Sequence, residues 1–413
     1  MFLPIIADFF KYLKKPENKL FFYIFWVIFP GLGIYTLLRA VIPPTGSDFA
    51  GSFHLAAREV IYGHESIFGK YNYNAYPPLF YCLIAPFAMF TRVMAVPLWY
   101  VFSVFILIIT VGLIIKILQK NTAETVKIAV PFLLLIFIIA DNLYLGQSNF
   151  FIVFLAVLAF YYNSRNHEIA AGIALGLAAG LKVTPLFLCL YFLLNGRFKT
   201  ILFCGITVLV SLFILPGFFF GFRENLLLAQ EWLQRIFWPA LFGRPMSSGP
   251  VSWYHTNQSM EAVLHRFLTD YGARRYSGFF SLISPQLENI NNIVFSAKLT
   301  VLLLPVLVTL RRKVNQAVQQ SLFFLAMIFL PPVAWINHYY ALLFPYLVIY
   351  NSAKNSGHDK IPGIILISGA VLACGNITPG LQAYGFLFWG NFLIFLAISL
   401  LALFRPEIFS RSV

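Results

Sequence analysis

Asp48 is one of only fifteen Asp and Glu residues in a chain of 413. It follows a turn signal, Pro43-Pro44-Thr45-Gly46-Ser47, at the mouth of a long apolar run. A carboxylate placed there is suited to take a proton from an attacking hydroxyl. The same residue is also explained as an N-cap of the helix that begins near Phe49, since Asp is a favoured cap. The two roles are compatible, because capping holds the carboxylate in place.

Lys182 closes the stretch Gly172-Ile173-Ala174-Leu175-Gly176-Leu177-Ala178-Ala179-Gly180-Leu181-Lys182-Val183-Thr184-Pro185. Small residues at this density let helices approach closely, and the proline ends the helix. A lysine inside apolar sequence costs at least ~2.5 kcal/mol to insert, so it calls for a partner or a ligand. A lipid phosphate is a natural one, and snorkelling from a helix end is the plainer alternative. Three more groups carry suitable chemistry. Gln147 and Asn149, in Gly146-Gln147-Ser148-Asn149, have amides that could read sugar hydroxyls, or form an ordinary turn. Asn257 and Gln258 precede a short helical pattern carrying Arg266, whose fork suits a phosphate oxyanion or a solvated loop. His338, in Trp335-Ile336-Asn337-His338, could donate to a leaving phosphate, bind a sugar, or sit incidentally in an aromatic belt. No HExxH, Walker A, GxGxxG or GxSxG motif occurs, and Asp48 and Glu65 do not form a metal-binding pair of the DxD type. No dedicated metal is therefore indicated.

The elements that position these residues are read from hydrophobicity. Apolar residues make up 60% of the chain and charged residues 11%, against about 25% charge in soluble domains. The pattern predicts an all-α, polytopic membrane protein. Its formal charge of +14 is explained by short loops facing anionic headgroups rather than by nucleic acid. Cys82, Cys189, Cys204 and Cys374 lie in apolar runs without CxxC spacing, which points to neither zinc nor disulfides. The first apolar run, Leu20 to Ile42, is too long for a signal-peptide core and reads as a retained span.

Twelve crossings are expected, at 20–41, 97–118, 128–144, 149–163, 168–182, 184–196, 200–222, 291–311, 318–334, 338–352, 361–379 and 384–404. With the N-terminus inside, segments 1–19, 119–127, 164–167, 197–199, 312–317 and 353–360 and the tail all carry Lys or Arg. The short outside turns 145–148, 335–337 and 380–383 carry none, which follows the positive-inside rule. This orientation requires residues 77–91 to lie at the outer surface as a re-entrant or juxtamembrane helix. Two large outside loops result, 42–96 and 223–290. In the first, Phe49, Phe53, Ala56, Val60 and Ile61 share one helical face opposite Ser52, Arg58 and Glu59, as in a short interfacial helix. Regions 70–81 and 232–255 are rich in Tyr and Trp, as expected at the headgroup level.

With these residues assembled, the chain resembles the GT-C superfamily of polytopic glycosyltransferases. The most similar member is glycosyltransferase family 87, the polyprenyl-phosphate-mannose-dependent α-mannosyltransferases. The matching features are Asp48 in the first outside loop, Tyr76-Pro77-Pro78-Leu79-Phe80, the Gly146 to Asn149 turn, the Gly172 to Pro185 stretch with Lys182, Asn257-Gln258-Ser259 to Arg266, and Trp335 to His338. The first loop departs from many relatives in carrying a single Asp. The resemblance implies one integral membrane domain over residues 1–413 and inverting transfer of a hexose, mannose in this family. The donor would be a polyprenyl-phosphate sugar and the acceptor a lipid-linked or cell-envelope glycan. Transfer would occur on the outer face of the inner membrane, with no cofactor and no required metal. Asp48 would be the general base. Tyr76, Gln147, Asn149, Lys182, Asn257, Gln258, Arg266 and His338 would bind the substrates. A transporter or flippase of lipid-linked glycans is the alternative from another class, although no internal repeat supports it. A polymerase or ligase of surface polysaccharide is a second one, which would call for a diphosphate donor and more outside arginines.

Overall fold

The computed structural model describes residues 2–41, 47–63, 67, 75–121, 126–241, 253–276, 278–280, 287–352, 360–375 and 378–409. The turn 43–46, Glu65, residues 70–74 and 242–252 of the aromatic regions, Lys354 and Arg411 lie outside them. Among the described residues every regular element is helical, with one isolated antiparallel bridge between Asn257 and Trp335.

Five of these helices are long and apolar enough to cross a membrane: Lys19–Leu38, Arg92–Gln119, Phe198–Phe220, Asn289–Leu310 and Phe386–Phe404. The twelve crossings expected from hydropathy are not matched by twelve helices of that length. Other apolar helices run for only 10–17 residues, because the backbone leaves the helix inside runs that hydropathy reads as continuous. Run 128–144 breaks at Leu135, between Ala129–Leu134 and Ile136–Leu145. The expected crossings 168–182 and 184–196 part at Lys182, whose backbone is extended. Run 338–352 opens as the 3-10 turn Ile336–Leu342. Irregular backbone at membrane depth is tolerated where protein surrounds it. Helix Pro78–Ala88, within the 77–91 segment, has eleven residues and spans about 16 Å, short of the ~30 Å hydrocarbon core.

The membrane leaves its mark on helix faces. On Phe198–Leu209 the buried face is small or polar, with Thr200, Cys204 and Thr207, while Phe198, Leu202, Ile206 and Leu209 are exposed. That polarity is reversed from a water-soluble helix, and lipid is the solvent that suits it.

The chain forms two compact units. The first comprises Met1–Ile117, Ile136–Leu186 and Arg197–Gly249. Its N-terminal helix Phe2–Leu13, within the expected inside segment 1–19, buries Ile5, Phe9, Tyr12 and Leu13. A methyl on Gly112 would lie 2.5 Å from Ile5 Cγ2, and Asp8 pairs with Lys116. The centre of this unit is the pair Glu168–Leu181 and Phe198–Leu209. Gly172, Gly176 and Gly180 recur every four residues and face Thr200, Thr207 and Ser211. A methyl on Gly176 would lie 2.5 Å from Thr207 Cβ and 2.7 Å from the Cys204 carbonyl oxygen. The backbones can meet only because these side chains are missing. At the open end of the pair Arg197 bridges to Glu168 at 3.2 Å.

The second unit comprises Leu118–Leu135, Phe187–Gly196 and Pro250–Val413. Helix Gln316–Phe329 is buried along almost its whole length. Ile361–Ala373 and Phe386–Phe404 touch through Gly369 and Gly390, where a methyl on Gly390 would lie 2.2 Å from the Gly369 carbonyl oxygen.

Overpacking a tight helix crossing costs about 1–3 kcal/mol. Gly176→Leu is therefore expected to lower the melting temperature of the detergent-solubilised protein by several degrees, while Leu202→Ala on the outer face leaves it nearly unchanged. Thermal scans of the two variants beside the wild type check this.

Candidate active site

The first unit gathers Asp48, Tyr76, Gln147, Asn149 and Lys182 around the turn that joins Ile136–Leu145 to Asn149–Ser164. Gly146 sits there at φ +67°, a left-handed conformation, and a methyl on it would meet Phe49 Cβ at 2.5 Å. Both conditions require glycine. Trp99 Nε1 donates to the Gly146 carbonyl at 2.9 Å, and the Trp99 ring stacks on Phe49 with centroids 4.9 Å apart. The segment carrying Asp48 is thus docked directly onto the turn.

Asp48 does not cap its helix. Ser47 does that work: its carbonyl accepts the Gly51 amide at 2.9 Å and its Oγ accepts the Ala50 amide at 3.4 Å. The Asp48 side chain makes no capping bond and instead accepts from Gln147 Nε2 through Oδ2. Gln147 Oε1 in turn accepts from the Tyr76 hydroxyl at 3.4 Å. Burial pushes the Asp48 carboxyl up to about 6, and the bond from Gln147, which favours the charged form, offsets part of that rise. Burial also holds the Tyr76 phenol well above its ordinary range, so it stays a donor. Its ring stacks on Phe80 at 4.0 Å and receives the edge of Phe53 at 5.3 Å. The apolar face predicted for an interfacial helix is therefore packed against protein, with Phe49, Phe53, Ala56 and Val60 buried and Ile61 half-buried.

Lys182 follows the last turn of Glu168–Leu181, its amide still bonded to the Ala178 carbonyl at 3.0 Å. Its ammonium donates to Asn149 Oδ1 at 3.2 Å and stands 5.9 Å from the centroid of the Tyr76 ring. Asn149 Nδ2 donates to Asn142 Oδ1 at 2.9 Å, and Asn142 Nδ2 to the Ile138 carbonyl at 2.8 Å. Asn149 is oriented by this chain to present its oxygen to the lysine. Among the described residues no carboxylate pairs with Lys182. One acidic residue escaped the sequence reading: Asp141, close enough to Asp48 for the two carboxylates to interact electrostatically. It lies inside the expected crossing 128–144. The available signal was a carboxylate within an apolar run, five residues before Gly146.

The remaining candidates belong to the second unit, and most of their donors are committed to backbone. Arg266 is fully buried. Its Nε donates to the Ala383 carbonyl at 2.7 Å, and its Nη1 reaches the carbonyls of Trp253, Tyr254 and Asn257 at 3.2, 2.9 and 2.9 Å. Burial lowers its pKa to about 10, which still leaves it charged at neutral pH. Asn257 accepts from the Ser259 and Ala334 amides and donates to the Pro332 carbonyl. Gln258 donates to the carbonyls of His255 and Gln382. These three side chains knit a loop rather than facing an open surface. His338 is half-buried, and its Nδ1 accepts the Trp335 amide at 3.3 Å, which leaves Nε2 to carry the proton of the neutral ring. Among the described residues no three His, Cys, Asp or Glu side chains gather so as to hold a metal ion.

The family model of glycosyltransferase family 87 matches residues 74–283, just over half of the chain. That stretch contains Tyr76, Gln147, Asn149, Lys182, Asn257, Gln258 and Arg266, and leaves Asp48 and His338 outside. No curated protein and no solved structure matches the chain.

The bond from Gln147 lowers the affinity of Asp48 for a proton. Gln147→Leu should raise the Asp48 titration above that of the wild type. Difference infrared spectroscopy of the carboxyl band against pH, with Asp48→Asn to assign it, measures the change. An unchanged midpoint would remove the assigned bond.

Proposed function

Because the chain belongs to glycosyltransferase family 87, we propose that it moves a hexose, mannose in the first instance, from a polyprenyl-phosphate sugar to a lipid-linked or cell-envelope glycan. In this reading the reaction runs on the outer face of the inner membrane and inverts the anomeric centre. The single observation that carries it is the turn 146–149, which holds an acid through Gln147 and a cation through Asn149.

The chemistry follows from the two groups. The acceptor oxygen attacks C1 of the sugar while its proton passes to Asp48. The bond between C1 and the phosphate oxygen breaks, and both its electrons leave with the prenyl phosphate. Negative charge grows on that oxygen, and a cation already in place stabilises it without reorganisation. Lys182 is that cation, and the bound phosphate favours its charged form in a buried setting. Asp48, with a carboxyl near 6, is ionised at neutral pH and still basic enough to receive a proton. Tyr76 spaces the two groups, with its hydroxyl on Gln147 and its ring beside the ammonium. Arg266, Asn257 and Gln258 fix loop backbone within the second unit.

Reconstituted protein given labelled polyprenyl-phosphate mannose and membrane lipid extract should form product, with or without chelator. Asp48→Asn should slow transfer by about 100-fold or more while donor binding persists. Lys182→Ala should weaken donor binding on the order of tenfold or more. The rate should fall as pH drops through about 6, where the Asp48 base becomes protonated, and Gln147→Leu should move this limb upward. Transfer by Asp48→Asn equal to wild type would end the base assignment.

A further inference from the structure

The second unit contains an open cleft of about 990 Å³, unrelated to any residue assigned so far except through its backbone. Ligand sites fall mostly within ~300–1000 Å³, so this one is at the roomy end. Trp253, Tyr254, Tyr271 and Tyr276 contribute its aromatic walls, and Asp270, Arg274 and Arg275 its charges.

The cleft is braced from below. The buried Arg266 donates to the carbonyls of Trp253 and Tyr254. The Trp253 ring is backed by His265, stacked at 4.2 Å and 11°, and by the edge of Tyr271 at 5.5 Å. Trp253 is half-buried and also lines the cavity. The Tyr276 hydroxyl accepts the His255 amide at 2.9 Å, which pins another wall. Rigid aromatic faces of this kind give contact area at little conformational cost. They suit a sugar ring, which has an apolar C–H face and a rim of hydroxyls.

The charges add a second requirement. Arg274 is paired with Asp270 at 2.5 Å. Arg275 lies over the Tyr254 ring at 5.3 Å, and among the described residues no carboxylate pairs with it. Its guanidinium fork fits a carboxylate or phosphate.

We propose that this cleft binds an acidic saccharide, its sugar face on Trp253 and its acid on Arg275. It rests on the transferase reading for its place in the reaction, as a site that receives part of the acceptor glycan, but it can be tested without transfer. Full-length protein in nanodiscs is titrated calorimetrically with tetragalacturonate and, separately, with the neutral maltotetraose. The expected result is at least tenfold tighter binding of tetragalacturonate. Arg275→Gln, at an exposed position, should make the two affinities equal, and Trp253→Ala should weaken both by tenfold or more. No binding of tetragalacturonate, equal affinity in the wild type, or a preference that survives Arg275→Gln overturns the proposal. Because no donor is present, an active transferase without this binding and an inactive one that retains it separate the failure of this site from the failure of the transferase reading.

Discussion

Two side chains on one turn hold the candidate site together. Gln147 reaches the acid and Asn149, two residues on, reaches the lysine. The turn can bring them there only because position 146 has no Cβ, so that Phe49 and Trp99 close against it. Among the described residues neither group is paired with an opposite charge. Each is held by a neutral amide, which fixes direction while leaving charge available.

The lysine's position comes from elsewhere in the same unit. The stripe of Gly172, Gly176 and Gly180 draws Glu168–Leu181 against Phe198–Leu209, and the helix ends where Pro185 forbids its continuation. Close packing thus determines where an ammonium emerges from an apolar helix. The cost of placing a charge in such surroundings is offset only by polar neighbours, and here these are Asn149 and the face of Tyr76. The same economy explains why the acid is unusual: burial that would silence a carboxylate is tempered by one amide donor.

Much of this was legible in the sequence, and the parts that were not share a cause. The helical class, the membrane, the family and the clustering motifs 146–149 and 172–185 follow from composition, small-residue spacing and motif order. Hydropathy could not show where the backbone breaks within an apolar run, so Leu135 falls inside an expected crossing although it ends a helix, whereas Pro185 marked the break at Lys182. Asp141 lies inside the same expected crossing as Leu135. Helix Phe2–Leu13 was missed because its cations were counted for topology while its buried stripe of Ile5, Phe9 and Leu13 was not. Arg266 shows a different limit. A guanidinium that suits phosphate suits a ring of carbonyls equally well, and only the fold decides which it meets.

The order of residues 47 and 48 carries a last implication. Helix amides grip whichever short side chain stands at the entry, and they favour negative charge. Here the grip falls on a hydroxyl, which has no proton to lose near neutrality. Were the neighbours transposed, the amides would clasp the carboxylate, keep it ionised far into acid, and leave an oxygen too weakly basic to accept anything. One transposition of adjacent codons would thus convert the candidate base into scaffolding while altering neither composition nor hydropathy.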